Sequence, residues 1–130
     1  MSKIIFMNID EQLKLVIDAL EDTKAQNIQA FDTRPLTGLF DRVVIATGNS
    51  NRQTKAMADH LIRAAKKSHL DVLAYEGADT GEWVLVDLGD IVVHTMIPAI
   101  RDYYQLEEIW GEHPIALDLK TDTMPKLADD

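Results

Sequence analysis

The chain has no cysteine, which excludes disulfide bonds and thiolate metal sites and makes a reducing, cytoplasmic setting the natural expectation. It has no membrane expectation either: no apolar run approaches the roughly 18 residues of a spanning helix. Met1 to Phe6 is too short, and the segment after it too charged, for a secretory signal. Cations are scarce, with 13 Lys and Arg against 22 Asp and Glu and a net charge of −9. Free nucleic acid is therefore not an expected direct partner, because phosphate binding needs clustered Lys and Arg. A basic protein surface suits the charge better, although acidity that serves only solubility gives the same balance. Repeats and low-complexity blocks are also missing. At 130 residues the chain is one domain's worth, long enough for its own core.

What is present reads as alternating helices and strands. Asn8 and Glu11 have capping-box spacing, and Ile9, Leu13, Val16, Ile17 and Leu20 recur at helical intervals until Asn27. Ile28 to Phe31 is a short expected strand before Pro35, and Val43 to Ala46 is an apolar run suited to a central strand. Ser50 and Gln53 open a second helix that ends at Lys66-Lys67. Val72 to Tyr75 follows as a strand, then a hairpin, then a short helix within Ile100 to Trp110. This order predicts an α/β fold: a single domain with a mixed sheet and about three helices. The unit from Val43 to Tyr75 is expected to cross over right-handed, with its two strands paired in parallel. Three helices suffice for one face of the sheet, leaving the other free for a partner. Residues 117–130 are expected to form a flexible tail beyond a domain of residues 1–116.

The hairpin from Glu82 to His94 is the most informative stretch. With Leu88-Gly89 as the turn, Asp87 faces Asp90, Val86 faces Ile91, Leu85 faces Val92, Val84 faces Val93 and Trp83 faces His94. Side chains alternate along strands and opposed residues share a face. Val84, Val86, Ile91 and Val93 then form a β-branched core layer. Trp83, Leu85, Asp87, Asp90, Val92 and His94 form the other face, where an aromatic, two acids and an imidazole lie among aliphatics. A slip of one residue in register exchanges the two faces.

Each candidate chemistry has a plainer rival. Thr47-Gly48-Asn49-Ser50 precedes a helix, where backbone N–H groups can receive an anion, but it lacks the P-loop and dinucleotide patterns and ordinary capping explains it. Asp87 and Asp90 have the chemistry of a magnesium site, yet acids flanking a glycine turn serve conformation as well, and no Lys or Arg nearby is placed to hold a phosphate. His94 as a general base has no nucleophile to serve, and His60, His69 and His113 show no ligand spacing. Trp83 is either covered by the chain's own C-terminal segment or exposed as an anchor for a partner. The neighbouring acids favour a partner rich in Lys or Arg.

Four ordered runs carry a family resemblance: Asp41 to Gln53, Glu76-Gly77, Glu82 to His94 and Arg101 to Trp110. Together they resemble the ribosomal silencing factor family, also called Iojap. The resemblance implies a compact α/β domain related in fold to nucleotidyltransferases but lacking their catalytic residues. Here Asn49 separates Gly48 from Ser50, and Asp87 and Asp90 lack the D-x-D spacing. It further implies binding to the large ribosomal subunit through ribosomal protein L14. Occupying that surface blocks association with the small subunit and silences translation when nutrients are limiting. Carried onto this chain, the resemblance puts Trp83, Leu85, Asp87 and Asp90 at the interface, with His94 beside them. Tyr104 and Glu107 either flank it or pack the last helix against the sheet. No catalytic residue, cofactor or metal is implied. The rival reading is a magnesium-dependent nucleotidyltransferase-like enzyme using Asp87 and Asp90, and a third is a homodimer formed through Trp83 or the free strand edges.

Overall fold

The computed structural model describes residues 7–120. The N-terminal segment weighed as a signal lies largely outside that range, as does the tail beyond Lys120. The chain runs α1 (Ile9–Asp22), β1 (Gln26–Asp32), β2 (Arg42–Thr47), α2 (Asn51–Lys67), β3 (Ala74–Glu76), β4 (Trp83–Asp87), β5 (Ile91–Met96), α3 (Pro98–Tyr104), α4 (Glu107–Trp110) and β6 (Pro114–Ile115). The expected mixed α/β sheet is present, with six strands in the order β3-β4-β5-β2-β1-β6 and four helices among the described residues. β2 pairs parallel to β5, and every other pairing is antiparallel.

Local chemistry sets the element ends. Asn8 and Glu11 close a full capping box on α1. That helix ends at Thr23, whose hydroxyl donates to the carbonyls of Ala19 and Leu20, rather than running on to Asn27. Asn27 instead lies within β1, at φ +50 beside a register shift between Gln26 and Gln29. Ser50 caps α2 by accepting from the Gln53 N–H, while Gln53 Oε1 accepts from the Asn49 N–H. Asn49 and Ser50 thus serve the helix start, while the Gly48 N–H donates to the Met96 carbonyl.

α1 and α2 cover one face of the sheet. Their apolar stripes, with Val16, Leu20, Met57 and Leu61, bury Ile28, Ala30, Val44, Ala46, Val84, Val86, Ile91 and Val93. β2 is buried along its whole length because strands flank it on both sides and packing covers both faces. Leu117 and Leu119 also pack against this core, so the ordered chain continues past residue 116.

Two expectations about topology need correction. β3 does not pair with β2, since β4 and β5 lie between them and β2 takes its parallel neighbour from β5. Among the described residues the short β3 is instead an edge strand held by β4 alone. The second face is not left bare either. Pro98 starts α3 at a position where its missing N–H costs nothing. The left-handed Gln105 then breaks the expected single helix into α3 and α4. These helices lay Ile100, Leu106 and Trp110 against Phe31, Val43, Ile45 and Met96.

Candidate functional site

The hairpin turn is Gly89-Asp90, closed by the Leu88 N–H donating to the Ile91 carbonyl, with Gly89 at φ +94. Glycine is needed there because a positive φ at the first central residue is what a two-residue hairpin of this hand demands. The pairing is Trp83 with Met96, Val84 with Thr95, Leu85 with His94, Val86 with Val93 and Asp87 with Val92. This differs from the sequence-derived register by two residues. Side chains alternate with a period of two, so the slip changes every partner yet leaves every strand residue on its expected face. Asp87 and Asp90 are accordingly not an opposed pair. Asp87 lies beside Val92 on the ladder, while Asp90 is exposed in the turn and its carbonyl accepts from the N–H groups of Asp41 and Arg42.

The face away from α1 and α2 carries Trp83, Leu85 and Asp87 on β4 and Val92, His94 and Met96 on β5. Trp83 is half-buried and stands at the junction of covered and open surface. The Tyr104 ring from α3 packs on it with centroids 4.9 Å apart, and Tyr103 lies edge-on to Tyr104 at the same distance. Tyr103 is 80% exposed and Tyr104 51% exposed, so the aromatic row runs from the sheet out to solvent. The C-terminal segment therefore covers one flank of Trp83 and leaves the rest accessible.

His94 sits beneath this row. The Trp83 indole N–H donates to His94 Nδ1 at 2.9 Å. Indole nitrogen can only donate, so Nδ1 must be the acceptor and the imidazole is neutral with its proton on Nε2. Burial pushes His94 down to about pKa 4, in agreement with a neutral ring. His94 therefore offers a neutral donor, not a charge.

Beside His94 the sheet opens into a concavity of about 540 Å³, lined by Leu39, Phe40, Leu85, Asp87, Val92 and His94. Leu39, from the loop between β1 and β2, is 84% exposed at its rim. Phe40 is held by an edge contact with Trp110. Asp87 Oδ1 accepts from the Gly89 N–H at 2.8 Å, which fixes the carboxylate over the turn. Glu76, an exposed residue on β3, pairs with Leu85 and so presents a further acid to this face.

Glu107 is placed differently from the rest. Its Oε2 accepts from Arg101 Nε at 2.8 Å, and the 4% exposed Arg101 also donates to the Asn27 carbonyl, Thr47 Oγ1 and Gln29 Oε1. This clamp ties α3 and α4 to β1 and β2, and thereby holds Tyr104 against Trp83. Sequence reasoning gave no role to Arg101, Glu76 or Leu39. Arg101 carried one usable signal, a lone cation within an otherwise apolar and acidic segment, whereas Glu76 and Leu39 depend on the β3 register and on a loop path.

The fold and this face together define a mixed α/β domain that presents an aromatic and acidic sheet surface. A family model described as ribosomal silencing factor during starvation matches residues 7–129. The chain belongs to that family. It is 52% identical over 105 residues to a ribosomal silencing factor of Chromobacterium violaceum, covering 81% of this chain and 86% of the relative. A mouse protein named for mitochondrial assembly of the ribosomal large subunit is 32% identical over 101 residues, covering 75% of this chain and 44% of that protein. A crystal structure of a C. violaceum protein superimposes with a TM-score of 0.80 at 47% identity, covering 89% of this chain and 97% of that one.

Proposed function

We propose that this protein binds the large ribosomal subunit through ribosomal protein L14 and blocks association with the small subunit, silencing translation in the cytoplasm when nutrients are limiting. The mechanism is steric and has no turnover. One observation carries this reading: the half-open Trp83 and Tyr104 pair stands beside a largely apolar concavity that holds the Asp87 carboxylate, on the sheet face that α1 and α2 leave free. Aromatic anchors at the edge of a partly desolvated pocket are what protein interfaces use for affinity, and surrounding acids supply charge complementarity toward a basic partner. The likeness to a relative named for large-subunit assembly supports the choice of subunit. Trp83, Leu85, Asp87, His94 and Tyr104 form the contact surface, Asp90 adds charge at its rim, and Glu107 acts from behind it through Arg101. The relationship to nucleotidyltransferases is one of fold alone.

The test is cosedimentation of Trp83→Ala with purified large subunits. Loss of a central aromatic anchor costs about 2 kcal/mol or more, so the folded variant should leave the pellet. A folded Trp83→Ala protein that still pellets with large subunits contradicts the proposed face.

A further inference from the structure

The concavity beside His94 has a polarity pattern of its own. Its floor is apolar, formed by Leu85 and Val92, with a donor at one end and an acceptor at the other. The donor is His94 Nε2–H, which has no partner among the described residues once Nδ1 is taken by Trp83. The acceptor is Asp87 Oδ2, left over because Oδ1 is held by the Gly89 N–H. His94 lies opposite Leu85 and Asp87 opposite Val92, which makes His94 and Asp87 diagonal neighbours, about 7–8 Å apart at their Cα atoms. None of the lining residues is a cation, and Glu76 and Asp90 extend the acidic field on either side of Asp87.

We propose that this groove receives a lysine or arginine side chain of the partner protein together with a backbone carbonyl of the same extended segment. The cation pairs with Asp87 Oδ2, and the carbonyl accepts from His94 Nε2–H. This rests on the docking reading above and adds to it the chemistry of the segment that docks. A long basic side chain fits because its methylene stem can lie on Leu85 and Val92 while its head reaches the carboxylate. A neutral donor at His94 suits a carbonyl, which gains a hydrogen bond there without the desolvation of a second charge. An acidic partner residue is disfavoured at Asp87, and a purely apolar one leaves both the donor and the acceptor unsatisfied.

The experiment measures affinity for purified large subunits across a salt series, using Asp87→Asn, His94→Phe, His94→Gln and Trp83→Ala, each first shown to be folded by thermal melting. Asp87→Asn keeps the acceptor for the Gly89 N–H and removes only the charge. It should weaken binding roughly tenfold or more and flatten the salt dependence. His94→Phe keeps a ring but loses both the donor and the acceptor for the Trp83 indole N–H, so it should weaken binding, while His94→Gln restores an amide N–H and a carbonyl acceptor and should recover much of the loss. The groove proposal is overturned if Trp83→Ala releases the protein while Asp87→Asn and His94→Phe bind as tightly as the parent with the same salt slope. Tight binding by Trp83→Ala overturns the docking face itself, and the groove proposal with it. A change confined to self-association, read by sedimentation at several protein concentrations, assigns the groove to a second copy and also overturns the proposal.

Discussion

The Trp83 indole N–H donates to His94 Nδ1 at 2.9 Å, joining the two strands of the hairpin across their non-helical face. The pair is diagonal, because Trp83 lies opposite Met96 and His94 opposite Leu85. One bond therefore fixes the tautomer of the histidine and the tilt of the tryptophan. It also couples the aromatic row to the groove.

Stability should fall as pH drops from about 6.5 toward 4. Burial holds folded His94 near pKa 4 against an ordinary 6.5, so in that window the unfolded chain binds the extra proton. The neutral imidazole contributes stability that is present above 6.5 and lost as pH falls through the folded value, up to about 3 kcal/mol. Urea denaturation at pH 7.5 and pH 4.5 should show a smaller difference for His94→Gln than for the parent.

Two glycines with similar φ should respond differently to alanine. Gly77 has φ +87, and a Cβ there would lie 2.0 Å from the Trp83 carbonyl oxygen. Gly89 has φ +94, but its Cβ would meet only Leu73 Cδ1, at 3.6 Å. Gly89→Ala should cost about 1–2 kcal/mol of backbone strain. Gly77→Ala must also push β4 away and should cost clearly more, with Trp83 displaced. Thermal melts with tryptophan emission report both effects.

Arg101→Met should be among the more destabilising substitutions, losing about 3–5 kcal/mol. It removes four donated hydrogen bonds and leaves Glu107 without its cation. Arg101→Lys should rescue little, because an ammonium cannot span these acceptors as a planar fork does. Equilibrium unfolding ranks the two, and a near-parental Arg101→Lys would show that charge alone holds α3 and α4 in place.

Much of this fold was legible in the sequence where one physical cause dominates. Val43 to Ala46 reads as a central strand because unbroken burial needs unbroken apolarity, and both helix starts follow from side chains that satisfy free N–H groups. The hairpin's two faces survived an error of two residues in register, since parity alone decides them. The partner of each residue was not legible, because Leu88-Gly89 and Gly89-Asp90 are equally acceptable turns until the strands pair. β6 is too short to carry a pattern, β3 starts two residues later than the strand expected from Val72, and the neighbours of both are set by tertiary packing. Covering of the Trp83 flank depended on Gln105 adopting φ +49 and on buried Arg101, neither of which periodicity reveals. Glu107 turns inward to Arg101, one of the two placements expected for it, and Asp90 lies in the turn rather than opposite Asp87.

The most direct measurement is pelleting of the protein with purified large subunits, small subunits and joined ribosomes in separate tubes. A steric repressor that occupies the joining surface should pellet with free large subunits and stay in the supernatant with the other two. Equal recovery with joined ribosomes would contradict the account.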